Sequence, residues 1–245
     1  CYYLDNSGIY VKDSSNTEIT NAILRDYQQC DTGVHIVSEA SSPTYENLTL
    51  KNVTIRDFRY GIYRLVSVYY PISGLVIDNV HVSGASECGM FIQVRGAPGL
   101  RDRVEIRNSV IENVGRDGIM VAPLGYDMPN SNISIINTTI QNIGSYGIHF
   151  YYPGPGGSAL GGVLIDNVVM RNATEYGITD GAPNGYALGL GNNTIRNVLI
   201  ENVTGTAGMG IRVGTYGKST ESEPNWIVNV TVRNAKYGIV TGWEH

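Results

Sequence analysis

Charge is scarce in this chain. Asp, Glu, Lys and Arg make up 16% of its 245 residues, only four of them lysine, and the net charge is −5. A protein that grips nucleic acid by its phosphates needs a basic stripe, and none is present, so no nucleic-acid partner is expected. Long apolar runs are missing too. No stretch approaches the roughly 18–20 residues that cross a bilayer, so no membrane span is expected. Apolar residues at i, i+3, i+4 do not recur anywhere, which excludes helical repeat arrays. Cysteine is limited to Cys1, Cys30 and Cys88, with neither a metal spacing nor a disulfide framework. Cys30 and Cys88 read as small fillers two turns apart. At about 4.8 Å per strand they lie too far from each other to bond.

What the chain has in quantity is glycine and asparagine in register. An apolar stretch runs into an asparagine eight times, at Asn21, Asn52, Asn79, Asn108, Asn137, Asn167, Asn197 and Asn229, in steps of 27 to 32 residues. About ten residues later a glycine follows, at Gly33, Gly61, Gly89, Gly118, Gly147, Gly177, Gly210 and Gly238, and Gly8 opens this column one turn earlier. A fixed period of 20–50 residues marks a solenoid whose repeats bury apolar surface against their neighbours.

One repeat shows the local rule. Val104 and Ile106 alternate with Glu105 and Arg107, and Asn108 closes that strand. Ser109 and Ile111 face in, Val110 and Glu112 out, and Asn113 closes a second strand. Gly118 starts a third, with Ile119 and Val121 inward and Met120 outward. Three short period-2 strands per turn predict an all-β fold, a right-handed single-stranded parallel β-helix of about eight to nine rungs. The same inward residue types recur in every repeat, which forbids a one-residue slip. The asparagines are expected to form inward corner ladders, with a second ladder at Asp26, Asp57, Asn113, Asn142, Asn172, Asn202 and Asn234. The column glycines are expected to supply positive φ or room for a tight corner. Eight Asn-x-Ser/Thr sequons are present. Those at Asn52, Asn137, Asn172, Asn202 and Asn229 fall in the ladders and are expected to be buried, leaving Asn47, Asn132 and Asn192 at turns where a glycan has room.

The repeat resembles the parallel β-helix proteins of the pectin-lyase-like superfamily over almost the whole chain. That group holds polysaccharide lyases, polygalacturonase-type hydrolases, alginate epimerases, phage tailspikes and archaeal surface proteins similar to disaggregatase. The Tyr-Val-Asp-His segment of alginate epimerases and the paired aspartates of polygalacturonases are absent, so no residue role carries over. The resemblance implies a fold and a polysaccharide partner, not a reaction.

Candidate chemistry sits where repeats become irregular. Long segments rich in Gly, Pro and Tyr (95–103, 123–131, 152–162, 181–193 and 214–225) border the third-strand face. The outward column of that face, two residues after each glycine, reads Tyr10, His35, Tyr63, Phe91, Met120, His149, Thr179, Arg212 and Val240. The next, normally inward, column contains Arg64 and Asp180, charges that need a partner or an opening to solvent. His149, Asp180, Arg212 and Tyr151 form the candidate catalytic set: Arg212 to neutralise a uronate carboxylate, and His149 or Tyr151 to take a proton. A hydrolase would instead pair Asp180 with Glu175 or Asp127. His35, Tyr63, Arg64, Gln93, Arg95, Tyr126, Tyr186 and Tyr216 are the candidate substrate contacts. No cofactor or metal ligand set is implied, with bound calcium left open.

On another face Val110, Val169 and Leu199 are apolar where solvent is expected, which suits a homotrimer. The repeat starts and stops inside a turn. Residues 1–245 therefore read as one domain, a fragment or processed part of a longer chain, or a unit that stacks end to end. The functional expectation is a secreted or cell-surface protein that cleaves or modifies an acidic polysaccharide, as lyase or glycosidase. The alternative is a non-catalytic surface, sheath or fibre module.

Overall fold

The computed structural model describes residues 7–12, 14, 16–26, 30–38, 46–66, 73–97, 100–125, 131–151, 160–180, 188, 191–214 and 224–241. Among these every regular element is a strand, and no helix is long and apolar enough to cross a membrane. One sheet carries the strands that begin at the glycine column. Its path runs Ser7–Lys12, Thr32–Ser38, Tyr60–Val66, Cys88–Ala97, Asp117–Gly125, Tyr146–Phe150, Tyr176–Asp180, Met209–Val213 and Tyr237–Thr241. Each pairs in parallel with its counterpart one turn on. The second sheet holds the strands on either side of each asparagine. Ile106 there stands between Ile77 and Ile135, as the repeat demands.

The core is a set of isoleucine-rich columns between the two sheets. Leu50, Ile77, Ile106, Ile135, Ile55, Ile111, Ile140, Ile62, Ile119, Ile148 and Ile178 are all fully buried. Like residues in adjacent rungs pack side by side at about 4.8 Å, and the continuity of this packing, rather than a compact centre, stabilises the solenoid.

Two corner devices differ from expectation. The column asparagines are not buried: Asn52, Asn137, Asn172 and Asn229 are exposed and Asn202 is half-buried. They adopt left-handed φ of 50–62°, a conformation that Asn tolerates because its short amide bonds locally. Their side chains still form ladders, as in Asn79 to Asn52 (2.8 Å), Asn167 to Asn137 (2.8 Å), Asn172 to Asn142 (2.8 Å) and Asn234 to Asn202 (2.8 Å). At two rungs the amide bonds an aspartate instead, Asn108 to Asp78 and Asn197 to Asp166, both at 2.8 Å. A third left-handed column, Asn16, Asn47, Gly74, Asn132, Gly162 and Asn192, escapes the sequence reading.

Several strands run through the asparagine without a break, as in Glu46–Arg56 and Ser73–Ser83. The column glycines, by contrast, do not use positive φ. A Cβ on Gly118 would lie 2.6 Å from the Gly147 carbonyl oxygen and 2.7 Å from Ile140 Cγ2. Close approach of successive rungs, not backbone handedness, requires glycine there. The chain bends at this position. The residues just before and two after the glycine therefore both face outward, which simple alternation does not predict.

The apolar column of the second sheet stacks as read, Val110 on Thr139, Thr139 on Val169, and Val169 on Leu199. These side chains are half-buried. Cys30 and Cys88 are free thiols, the first half-buried and the second buried.

Candidate functional site

The outer face of the first sheet carries the expected column in register: Tyr10 beside His35, His35 beside Tyr63, Tyr63 beside Phe91, Met120 beside His149, His149 beside Thr179, and Thr179 beside Arg212. Its lower part is an aromatic stack. Ring centroids lie 5.4 Å apart for Tyr10–His35, 5.3 Å for His35–Tyr63 and 4.8 Å for Tyr63–Phe91. Tyr60 joins at 4.8 Å from Tyr63, with the Arg59 guanidinium over its ring. Stacked rings one rung apart give a flat apolar surface with polar edges.

The upper part centres on His149. Its Nδ1 lies 3.4 Å from Oδ2 of Asp117, and both side chains are closed to solvent, at 4% and 0% exposure. A carboxylate at Nδ1 fixes the imidazole orientation. Tyr146 packs 4.4 Å from His149 and 5.4 Å from Tyr176, while Tyr151 meets the imidazole edge-on at 5.5 Å. Arg212 stands over the Tyr176 ring at 5.9 Å. Tyr146, Tyr151, Tyr176 and Arg212 are half-buried and make a rim; Asp117, His149 and Thr179 are buried and make a floor. Burial, and then the hydrogen bond and charge of Glu175, push the Tyr146 phenol up to about 12. Tyr146 is thus a neutral donor at ordinary pH.

His149, Tyr151 and Arg212 therefore come together, and Asp180 does not join them. Asp180 pairs in register with the buried Phe150 and points into the solenoid wall at 0% exposure. Its Oδ1 accepts the Gly214 N–H at 2.9 Å. Oδ2 has no hydrogen-bond partner. Burial pushes this carboxyl well above the ordinary range, against the pull of the Gly214 N–H and of Arg212.

Arg64 is likewise turned inward and fully buried, so it does not line the outer face. Its Nη2 donates to Asp102 Oδ1 at 2.8 Å and its Nη1 to the Gln93 carbonyl at 3.1 Å. Both charges of that ion pair are fully buried. Gln93 and Arg95 alternate with buried Ile92 and Val94 and are half-buried; Gln93 Oε1 accepts the Val66 N–H at 3.2 Å. Tyr126, Tyr186, Tyr216 and Asp127 lie outside the described residues.

Asp117, Tyr146 and Tyr176 are the site residues that alternation misses. The signal was available. The residue before the glycine is aromatic at Tyr60, Tyr146, Tyr176 and Tyr237, and a column so rich in tyrosine is a face, not a core. Among the described residues no group of three or more His, Cys, Asp or Glu is placed to hold a metal ion.

The family model described as right handed beta helix region matches residues 2–155 and 49–245. No curated protein sequence matches. Among solved structures, the chain is similar to the A-module of mannuronan C-5 epimerase from Azotobacter vinelandii. That match has a TM-score of 0.46 and 14% identity, covering 96% of this chain and 76% of that one. It is similar also to the catalytic domain of a GH87 alpha-1,3-glucanase in complex with tetrasaccharides. There the TM-score is 0.47 and the identity 16%, covering 98% of this chain and 60% of that one. With the family model covering both halves and parallel strands stacked throughout, the chain belongs to the right handed beta helix family.

Proposed function

We propose that this protein acts on an acidic polysaccharide at the outer face of the first sheet, outside the cytoplasm, as a secreted or cell-surface protein. The observation that carries the reading is the buried Asp117–His149 pair beneath a rim of three tyrosines and Arg212. Asp117 orients His149, and Nε2 takes the C5 proton of a uronate residue. Arg212 neutralises the carboxylate whose charge grows as that proton leaves. The Tyr151 hydroxyl gives its proton to the departing glycosidic oxygen, the C4–O bond breaks and a C4–C5 double bond forms. His35 and Tyr63, in the aromatic stack below, extend the same face toward neighbouring sugars. Hydrolysis built on Asp180 is disfavoured, because that carboxyl faces the interior while Glu175 is exposed outside.

The experiment is an ultraviolet assay for unsaturated uronate ends across alginate, pectate and glycosaminoglycan polymers, with reducing ends measured in parallel. New unsaturated ends on one polymer support the lyase reading, and reducing ends alone replace it with hydrolysis. A second reading, a non-catalytic surface module, is favoured by one observation: His149 and Asp117 are nearly closed to solvent. Silence on every polymer selects it.

A further inference from the structure

Among the described residues, a number of buried side-chain polar atoms make no hydrogen bond, and each calls for a cause. Among the described residues, the floor of the proposed site holds two polar atoms that are buried and without a hydrogen-bond partner, Thr179 Oγ1 and Asp117 Oδ1. Thr179 is 1% exposed. It stands in register between His149 on one side and Arg212 on the other, each about 4.8 Å away along the sheet. A buried hydroxyl without a partner is a cost to the folded chain that a methyl group would remove. Valine has nearly the same shape and suits a strand better than most residues. Stability alone therefore argues for valine at this position.

The rest of the surface shows that the solenoid can satisfy such groups. Ser109 and Thr138, both buried at a neighbouring corner, each donate to a backbone carbonyl two residues back, at 2.8 and 2.9 Å. Thr179 makes no such bond, although its two strand neighbours carry the chemistry of the site.

We propose that Thr179 is a specificity-determining contact: when the side chains that cover it part on binding, its hydroxyl hydrogen-bonds a ring or carboxylate oxygen of the uronate residue that sits between His149 and Arg212. This rests on the functional reading above and extends it to a residue that reading did not use. A hydroxyl is both donor and acceptor, so it serves a sugar hydroxyl or a carboxylate oxygen equally. A site built to bond a ligand oxygen also discriminates sharply against ligands that lack it. Arg212 supplies charge recognition from the rim and Thr179 a shorter, directional contact from the floor.

The test uses Thr179→Val and Thr179→Ser, measuring the melting temperature of the free protein and the shift produced by oligomers of mannuronate, guluronate and galacturonate. A neutral glucan oligomer serves as control. The expected result has three parts. Free Thr179→Val melts at the same temperature as the natural protein or about 1–3 °C higher. Its affinity for the uronate oligomer that shifts the natural protein falls about ten-fold or more. Thr179→Ser restores most of that affinity.

A lower melting temperature for free Thr179→Val means that the hydroxyl already has a structural partner, and this overturns the inference. Unchanged affinity in Thr179→Val, with the natural protein still binding, also overturns it while leaving the functional reading intact. If no uronate oligomer shifts the natural protein, the functional reading fails and the inference with it. That case is recognised because the natural protein, not the variant, is silent.

Discussion

The two surfaces of the solenoid treat polar residues in opposite ways. On the second sheet charges reach solvent and are paired between rungs, half-buried carboxylates with half-buried or exposed cations: Arg196 with Asp166 at 2.7 Å, Arg107 with Asp78 at 3.2 Å, Arg171 with Glu201 at 3.0 Å, and His81 with Glu112 at 2.8 Å. Hydrogen bonds hold the Asp166, Asp78 and Glu112 carboxyls below their usual range, from Arg196, Asn108 and Gln141 respectively. On the first sheet the floor of the outer face is buried, and atoms of Asp117 and Thr179 there lack hydrogen-bond partners, as does Asp180 Oδ2 inside the wall behind it. Exposed ion pairs each contribute little. Their regularity is what a scaffold needs in order to keep register. Buried polar atoms without partners weaken a scaffold, and the two on the floor beside His149 are a reason to look for function there.

The comparison can be broken most severely inside the wall. Arg64→Met leaves the Asp102 carboxyl without its partner in the core, where burial already pushes it up, and should cost about 3–5 kcal/mol in chemical denaturation. Arg64→Met with Asp102→Leu should recover most of that loss. A small effect from the single change would mean that the pair is not sealed from water.

Next in size, Gly118→Ala drives a methyl into the Gly147 carbonyl and should cost about 1–3 kcal/mol. The same change at Gly238, which has nothing within 4 Å of its Cβ position, should be nearly neutral. Equal losses at the two sites would contradict the close-approach explanation.

Acidity separates the two surfaces by sign. Asp180 has a raised folded-state pKa, so the folded chain binds more protons than the unfolded chain over the interval between the two values. Its contribution to stability therefore declines as pH rises through that interval. Asp166, Asp78 and Glu112 have lowered values, and their contribution is lost as pH falls through the ordinary carboxylate range. Asp180→Asn keeps an acceptor for the Gly214 N–H and should gain on the natural protein as pH rises. Parallel stability curves would show that Asp180 is not buried as described.

The smallest effect concerns the corners. Asn137→Ala loses a left-handed residue and two ladder bonds and should cost about 1 kcal/mol, with Asn137→Gly closer to neutral. A larger loss for glycine than for alanine would shift the weight from backbone handedness to the ladder.

These contrasts explain what was legible in the sequence. The inward columns were, because period-2 alternation and a fixed repeat leave one register that buries Ile106, Ile111 and Ile119 together. The asparagine columns were legible as ladders, but their exposure was not. A corner amide can satisfy the chain from inside or outside, and only left-handed φ places it outside. His149, Arg212 and Tyr151 could be read from their column. Asp117, Tyr146 and Tyr176 could not be read from alternation, because the bend at the glycine cancels one step of it; only the run of tyrosines before the glycine marks that column as a face. Arg64 and Asp180 were visible as misfits. The partner of Arg64, Asp102, follows the antiparallel excursion Leu100–Arg101 against Gly96 and Ala97, which no periodicity encodes.

The central claim is that the first sheet's outer face is the working surface and His149 its base. The most direct measurement is kcat/KM on a polyuronate for the natural protein and for His149→Gln, with melting temperatures taken on the same samples. The account predicts a loss on the order of 10²-fold or more for His149→Gln with the melting temperature little changed. Undiminished turnover in His149→Gln, or a loss that merely tracks unfolding, would contradict it.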